Sequence, residues 1–318
     1  MKLDQGLVMQ SPAPPNRLPA EATTGFWIAP DGWRHRRFDL PAAEPRGRVL
    51  IQGGRSDVFE KYLEVIEHLH ARGWSVTSFD WRGQGGSGRL SPDPRVGHAS
   101  DFGVFVRDLQ AFWREWSGDH RVALGHSMGG HLLLRAIVEG AIEPAAAILT
   151  APMIGVRSPF GAWASARIAR FMAGRGDPAR SAWKWSDEQI HLERRLRRLT
   201  LDSSRGQDDR WWHDAQPDLQ LGPPSWAWIV EAFTAGRALE NDPRLREVRT
   251  PVLMLVADAD QLVDPRAALR VAARLPDCEV VRFGAAESAH EILRESLPVQ
   301  ARAFAAMDAF LDRHAGCR

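Results

Sequence analysis

The chain has 318 residues, with 41 Lys plus Arg against 40 Asp plus Glu and a formal charge of +1. That length holds one large α/β domain with an insertion, or two ordinary domains, and buries enough apolar surface to need no covalent staples. The charge balance excludes a nucleic-acid footprint. The two cysteines, Cys278 and Cys317, exclude a disulfide framework and fit a reducing compartment.

Residues 1–24 carry Pro12, Pro14 and Pro15, lack the apolar core of a signal peptide, and are expected to be a loose N-terminal segment. No run of about 18 apolar residues occurs, so no membrane span is expected and the location is read as cytoplasmic. Residues 25–40 alternate as two early strands do. Val49-Leu50-Ile51 is a short apolar strand. Residues 58–71 follow with Phe59, Tyr62, Leu63, Ile66 and Leu69 at helical spacing. A strand is expected over residues 74–79. Ser100 is placed as the cap of a helix running to about Trp116. Arg121-Val122-Ala123-Leu124 reads as a strand, His131 to Ile137 as a helix, and Ala146-Ala147-Ile148-Leu149 as a strand again. Strand and helix alternating over short connections predict a mostly parallel central sheet with helices on both faces.

The rhythm stops after Pro152 and resumes at Pro251. The stretch between holds Trp163, Trp183, Trp185, Trp211, Trp212, Trp226 and Trp228, so an aromatic, helical cap is expected over residues 152–249. The core then comprises 25–151 and 250–315. The tryptophans either pack the cap onto the core or line an apolar tunnel for an acyl chain. Trp163, Phe171 and Met172, with Ile168, Arg167, Arg170 and Arg175 nearby, are the candidates for a face that binds substrate and touches a lipid surface peripherally. The basic run from Arg194 to Arg198 reads as a solvated helix face rather than an anion site.

Between the strand at 121–124 and its following helix lies Gly125-His126-Ser127-Met128-Gly129, of the form Gly-x-Ser-x-Gly. A serine there sits on a sharp strained turn with its hydroxyl raised out of the sheet and a helix N-terminus beneath it. Serine needs a base, and the base needs an orienting carboxylate, in the chain order Ser, acid, His. His290 follows the strand at 279–283 and is placed as the base, ahead of His131, His191, His213 and His314. For the acid, Asp258, Asp260 and Asp264 compete. Asp264 beside Pro265 reads as a helix N-cap and Asp258 as a turn residue, which favours Asp260. The oxyanion donors are expected to be the backbone N–H groups of Met128 and of Arg55 in the loop Gln52-Gly53-Gly54-Arg55. Gly83-Gln84-Gly85-Gly86-Ser87-Gly88 imitates a dinucleotide fingerprint, but Pro92 and Pro94 forbid the helix that such a site requires. No metal ligand set or cofactor is expected.

These motifs resemble those of α/β-hydrolases of the monoacylglycerol lipase and bacterial lysophospholipase group. The resemblance rests on Gly53-Gly54-Arg55-Ser56-Asp57 with Lys61-Tyr62, on Asp80 to Arg89, on Gly125 to Gly130, and on Asp260 with Gly284 to His290. It implies an α/β-hydrolase fold with a cap after the sixth strand. It also implies Ser127 as nucleophile, Asp260 and His290 as its partners, and a small acyl ester as substrate. Many relatives have His-Gly where this chain has Gly53-Gly54 after Gln52, a change that leaves the backbone donor in place. Small non-lipid esters or lactones, and acyl transfer by the same triad, are the alternative readings. A non-catalytic binding protein would be expected to lack a triad member.

Overall fold

The computed structural model describes residues 18–185, 195–202, 204–205, 211–212 and 214–315. Most of the N-terminal segment read as loose, together with His191, Arg194 and His213, lies outside them. Among the described residues one eight-stranded sheet runs in the order β1-β2-β4-β3-β5-β6-β7-β8. The strands are β1 (Thr23–Ile28), β2 (Arg34–Leu40), β3 (Gly47–Gln52), β4 (Trp74–Phe79), β5 (Arg121–His126), β6 (Ala146–Thr150), β7 (Val252–Ala257) and β8 (Cys278–Phe283). The first two are antiparallel to their neighbours and the rest are parallel. Every residue of β6 and β7 is buried, which explains why β7 is wholly apolar and β6 is apolar up to Thr150: a parallel strand covered on both faces has no polar side to show.

The sheet is covered on both faces. Helix α1 (Leu63–Ala71) lies against β4 and shares its layer with the terminal helix α7 (Leu297–His314), where His68 stacks on Phe304 at 4.1 Å. Helices α2 (Gly103–Glu115) and α3 (Met128–Val138) pack on each other, and α3 lies against β5. Between β6 and β7 the described chain adds no strand to the sheet. It forms α4 (Gly161–Ala173) and α5 (Trp226–Asn241), packed together, before α6 (Pro265–Ala272) follows β7.

Several boundaries depart from the sequence reading. The first strand begins at Thr23, inside the segment expected to be loose. The helix expected over 58–71 is split: Phe59–Tyr62 form a 3₁₀ turn, and α1 starts at Leu63. The tight turn buries Glu60, which meets the Arg36 guanidinium. Ser100 does not cap α2; Asp101 Oδ1 accepts the Gly103 N–H at 2.6 Å instead. The helix after the motif starts at Met128, directly after the serine.

Candidate active site

Ser127 joins the C-terminus of β5 to the N-terminus of α3 at φ +51°, a left-handed conformation that a side chain adopts only when the surroundings hold it there. They do so through the backbone. The Ser127 N–H donates to Thr150 O at 3.0 Å, and Ser127 O accepts from the His131 and Met153 N–H groups at 3.0 and 2.9 Å. The glycines of the motif permit the crossing. A β-carbon at Gly129 would lie 2.3 Å from Gln52 O and 2.5 Å from Gly53 O, and one at Gly125 would lie 2.8 Å from the Gly129 carbonyl. Strand, turn and helix therefore come within backbone contact of the β3 loop only because neither position carries a side chain.

His290 and Asp260, thirty residues apart, meet at the C-terminal ends of β8 and β7: His290 Nδ1 lies 2.6 Å from Asp260 Oδ2, and both residues are buried. The second Asp260 oxygen accepts the Leu262 and Val263 N–H groups at 2.7 and 3.0 Å, which fixes the carboxylate plane. Burial opposes charge on Asp260, but His290 holds its carboxyl below the usual range. Burial also opposes charge on the imidazole, and the Asp260 carboxylate more than offsets it, so the His290 pKa is raised. The competing acids are occupied elsewhere: Asp258 pairs with Arg282 at 2.9 Å, and Asp264 caps α6 through the Arg266 N–H at 3.1 Å. Among the histidines weighed as base, His131 is fully buried in α3 with its pKa pushed by burial down to about 3, and His314 lies on α7 against Phe310.

The His290 ring stands 4.7 Å from that of His126, the residue before the serine. His126 accepts no charge: burial first, then the neighbouring His290, push it down to about 3. A neutral His126 ring adds no positive charge against the proton-bound state of His290. No hydrogen bond joins the Ser127 hydroxyl to His290 among the described residues; in hydrolases that contact is commonly long until substrate arrives.

The loop after β3 reaches the serine. A β-carbon at Gly54 would lie 3.0 Å from Ser127 Cβ, so the loop passes too close to Ser127 to carry a side chain there without a shift. Trp81 Nε1 donates to Gly53 O at 2.9 Å, and Gln84 Oε1 accepts the Ser56 N–H at 2.6 Å. The glycine-rich segment after β4 thus buttresses the loop, and Gly83, Gly85 and Gly88 adopt positive φ as turn residues.

A buried set whose pairing the sequence reading did not foresee ties this loop to the His290 loop. Asp57 Oδ2 accepts the Gly54 N–H and the Tyr62 hydroxyl, each at 2.6 Å. Lys61 Nζ bridges Asp57 Oδ1 at 2.7 Å and Glu291 Oε1 at 2.5 Å, and Glu291 also holds Arg294 at 2.9 Å. Burial works against the Asp57 charge, yet Lys61 foremost holds its carboxyl well below the usual range. The sequence carries Asp57, Lys61 and Tyr62 in one of the segments behind the resemblance, and Asp57 to Lys61 spans one helical turn, but nothing there joins them to Glu291.

The candidate cap residues divide. Trp163 and Phe171 project into solvent from α4, 69% and 57% exposed, while Met172 is half-buried. Arg167 lies over the Trp163 ring and Arg175 over Phe171. Trp163 also edges an open groove of about 800 Å³ between α4 and α5, together with Ile154, Phe233 and Arg237. In the same insertion Trp228 is buried against Phe102, whereas Trp183 is exposed. Of the basic run, Arg195, Arg197 and Arg198 are exposed. No helix among the described residues is long and apolar enough to cross a membrane, and none of their His, Cys, Asp and Glu side chains form a group of three able to hold a metal.

A serine at a strand-to-helix elbow, with an Asp–His pair from the next two strand ends, on a mostly parallel sheet covered on both faces, defines an α/β-hydrolase. The chain belongs to the Hydrolase_4 family, described as serine aminopeptidase S33, whose profile matches residues 43–297. It is similar to lysophospholipase L2 of Escherichia coli K12, with 33% identity over 92% of this chain and 93% of that one. It is also similar to monoacylglycerol lipase of Mycolicibacterium smegmatis, with 32% identity over 41% of this chain and 44% of that one. Among solved structures, a soluble variant of monoglyceride lipase from Saccharomyces cerevisiae in complex with a substrate analog superposes with a TM-score of 0.78 at 22% identity, covering 97% of this chain and 100% of that one.

Proposed function

We propose that this chain hydrolyses the carboxylic ester of single-chain lipids, as a lysophospholipase or monoacylglycerol lipase, through an acyl-enzyme on Ser127. The observation that carries the reading is the buried 2.6 Å pair of His290 and Asp260 in a chain whose Ser127 stands on the elbow beside it. Ser127 attacks the ester carbonyl while His290 takes its proton, and Asp260 holds the Nδ1–H so that Nε2 faces the serine. The oxyanion rests on the Met128 N–H at the start of α3 and on the Arg55 N–H. The Gly54 N–H is already taken by Asp57, which favours its neighbour as the second donor. His290 then protonates the departing alcohol, and water repeats the sequence to release the fatty acid. None of these steps uses a cofactor.

The full-length relationship to lysophospholipase L2 supports the lipid substrate. The test is a panel of 4-nitrophenyl esters graded by chain length, run beside lysophosphatidylcholine and monoacylglycerol. Long-chain substrates are expected to lead, and a sharp preference for acetate would overturn the lipid reading.

Residues 152–249 act in this reading as a cap above the site, and α4 as the part that touches the lipid surface. Its exposed Trp163, Ile168 and Phe171 stand among Arg167, Arg170 and Arg175, a pairing of apolar and basic groups that suits an anionic interface. Wild-type protein is expected to co-sediment with vesicles containing phosphatidylglycerol. The Trp163→Ser, Phe171→Ser double variant should remain in the supernatant, and equal sedimentation of the two would remove this contact.

A further inference from the structure

One cation near the serine has no assigned task. Arg55 follows Gly54, where a β-carbon would lie 3.0 Å from Ser127 Cβ, and successive α-carbons are about 3.8 Å apart. Its side chain leaves the β3 loop and enters the seam between the core and the 152–249 insertion. There its Nη1 donates to Gly222 O at 2.9 Å, and its guanidinium carbon lies 5.5 Å from the centre of the Trp228 ring. Space has been cleared for it: a β-carbon at Gly97 would stand 2.8 Å from Arg55 Nη1.

Its charge is poorly matched. A guanidinium carries five N–H donors, and the bond to Gly222 uses one of them on an uncharged carbonyl. No carboxylate lies within ion-pair distance of it among the described residues. Asp57 is the acid whose charge reaches it, but that carboxylate is committed to Lys61, Tyr62 and the Gly54 N–H. Burial and then the charge of Arg195 push the Arg55 pKa down to about 10, against the pull of Asp57. The contrast with Arg82 is direct. That side chain is bonded at both terminal nitrogens to the carboxylates of Asp108 and Asp31. A half-buried cation on the loop that passes Ser127, with no carboxylate at ion-pair distance among the described residues and a planar fork of donors, is matched by a phosphate group.

We propose that the Arg55 guanidinium is the headgroup anchor of this site and binds the phosphodiester of a single-chain glycerophospholipid whose acyl ester lies at Ser127. The inference rests on the ester-hydrolase reading of Ser127 and adds to it which of the two lipid classes the site selects. In such a substrate the phosphate is joined to the ester oxygen through the glycerol carbons, so an anion held by the side chain of Arg55, whose backbone N–H belongs to the oxyanion loop, places the carbonyl beside Ser127. A monoacylglycerol has no group for Arg55 to hold.

The test compares 1-palmitoyl-lysophosphatidylglycerol with 1-palmitoylglycerol, which share acyl chain and ester, at concentrations below micelle formation. Wild type, Arg55→Met and Arg55→Lys are assayed on both, and all three keep the backbone N–H at position 55. Arg55→Met is expected to lower the ratio of kcat/KM for the phospholipid to that for the glyceride by about 10- to 100-fold, the range for loss of a hydrogen bond to a charged group. Arg55→Lys should restore part of the ratio. Glycerophosphoglycerol should inhibit wild type and not Arg55→Met. Equal loss on both substrates would show that Arg55 only pins the Gly222 carbonyl, and would overturn the anchor. So would wild type that cleaves the glyceride but not the phospholipid. Inhibition by inorganic phosphate as strong as by glycerophosphoglycerol would assign the cation to free phosphate and overturn the headgroup assignment. Wild type inactive on both lipids would instead overturn the underlying function.

Discussion

Ser127→Ala is expected to remove ester hydrolysis and all labelling by a fluorophosphonate probe, while wild type labels at a single serine. The loss in kcat should be roughly 10⁶-fold, the scale seen when the nucleophile of such a triad is deleted. The backbone predicts that the variant folds. The bonds that hold the elbow run through the Ser127 N–H and carbonyl to Thr150, His131 and Met153, and none requires the hydroxyl. Alanine accepts φ +51° no worse than serine does, so a change in melting temperature should be small beside the loss of activity. Labelling that persists in the variant would move the nucleophile elsewhere and overturn the site.

Asp260→Asn should lower kcat by about 10⁴-fold, for a reason visible in the hydrogen bonds. The Asn carbonyl can still accept the Leu262 and Val263 N–H groups, which leaves its NH₂ facing His290 Nδ1. That nitrogen must then accept, the proton moves to Nε2, and the tautomer presented to Ser127 can no longer act as base. The pH profile gives a second readout. The base works when neutral, so wild-type kcat/KM should fall as pH drops through the His290 pKa, which the Asp260 carboxylate raises above the imidazole value against the effect of burial. With Asn the burial effect meets less opposition. The acid limb of the residual activity should therefore shift to lower pH. A limb that stays in place would mean that His290 is not paired with this acid.

The expected strands, apart from their end residues, are all in the fold, because each is declared locally, by an apolar run in the central strands and by alternation in β1 and β2. The elbow was legible for the same reason: Gly125 to Gly129 carry their own geometry, and a β-carbon at either glycine meets backbone. Local reading failed where a distant group competes for a residue. Glu60 lies in the 3₁₀ turn and faces Arg36 from another strand, and at the start of α2 the Phe102 N–H goes to Glu231 from the insertion. The choice among Asp258, Asp260 and Asp264 had a local component, since Asp264 does cap its helix as its Pro265 neighbour suggested. The Arg282 that occupies Asp258 comes from the next strand, out of reach of any motif.

From its own string of residues the chain specifies a parallel sheet, the turn that carries Ser127 and the choice of His290 as the proposed base, because periodicity, glycine placement and strand ends act over a few neighbouring positions. Only folding in three dimensions decides that Lys61 bridges Asp57 to Glu291, 230 positions further on, and that Arg55 reaches the Gly222 carbonyl of the insertion. Charges pair by distance in space, and the sheet order that sets those distances is a property of the whole chain.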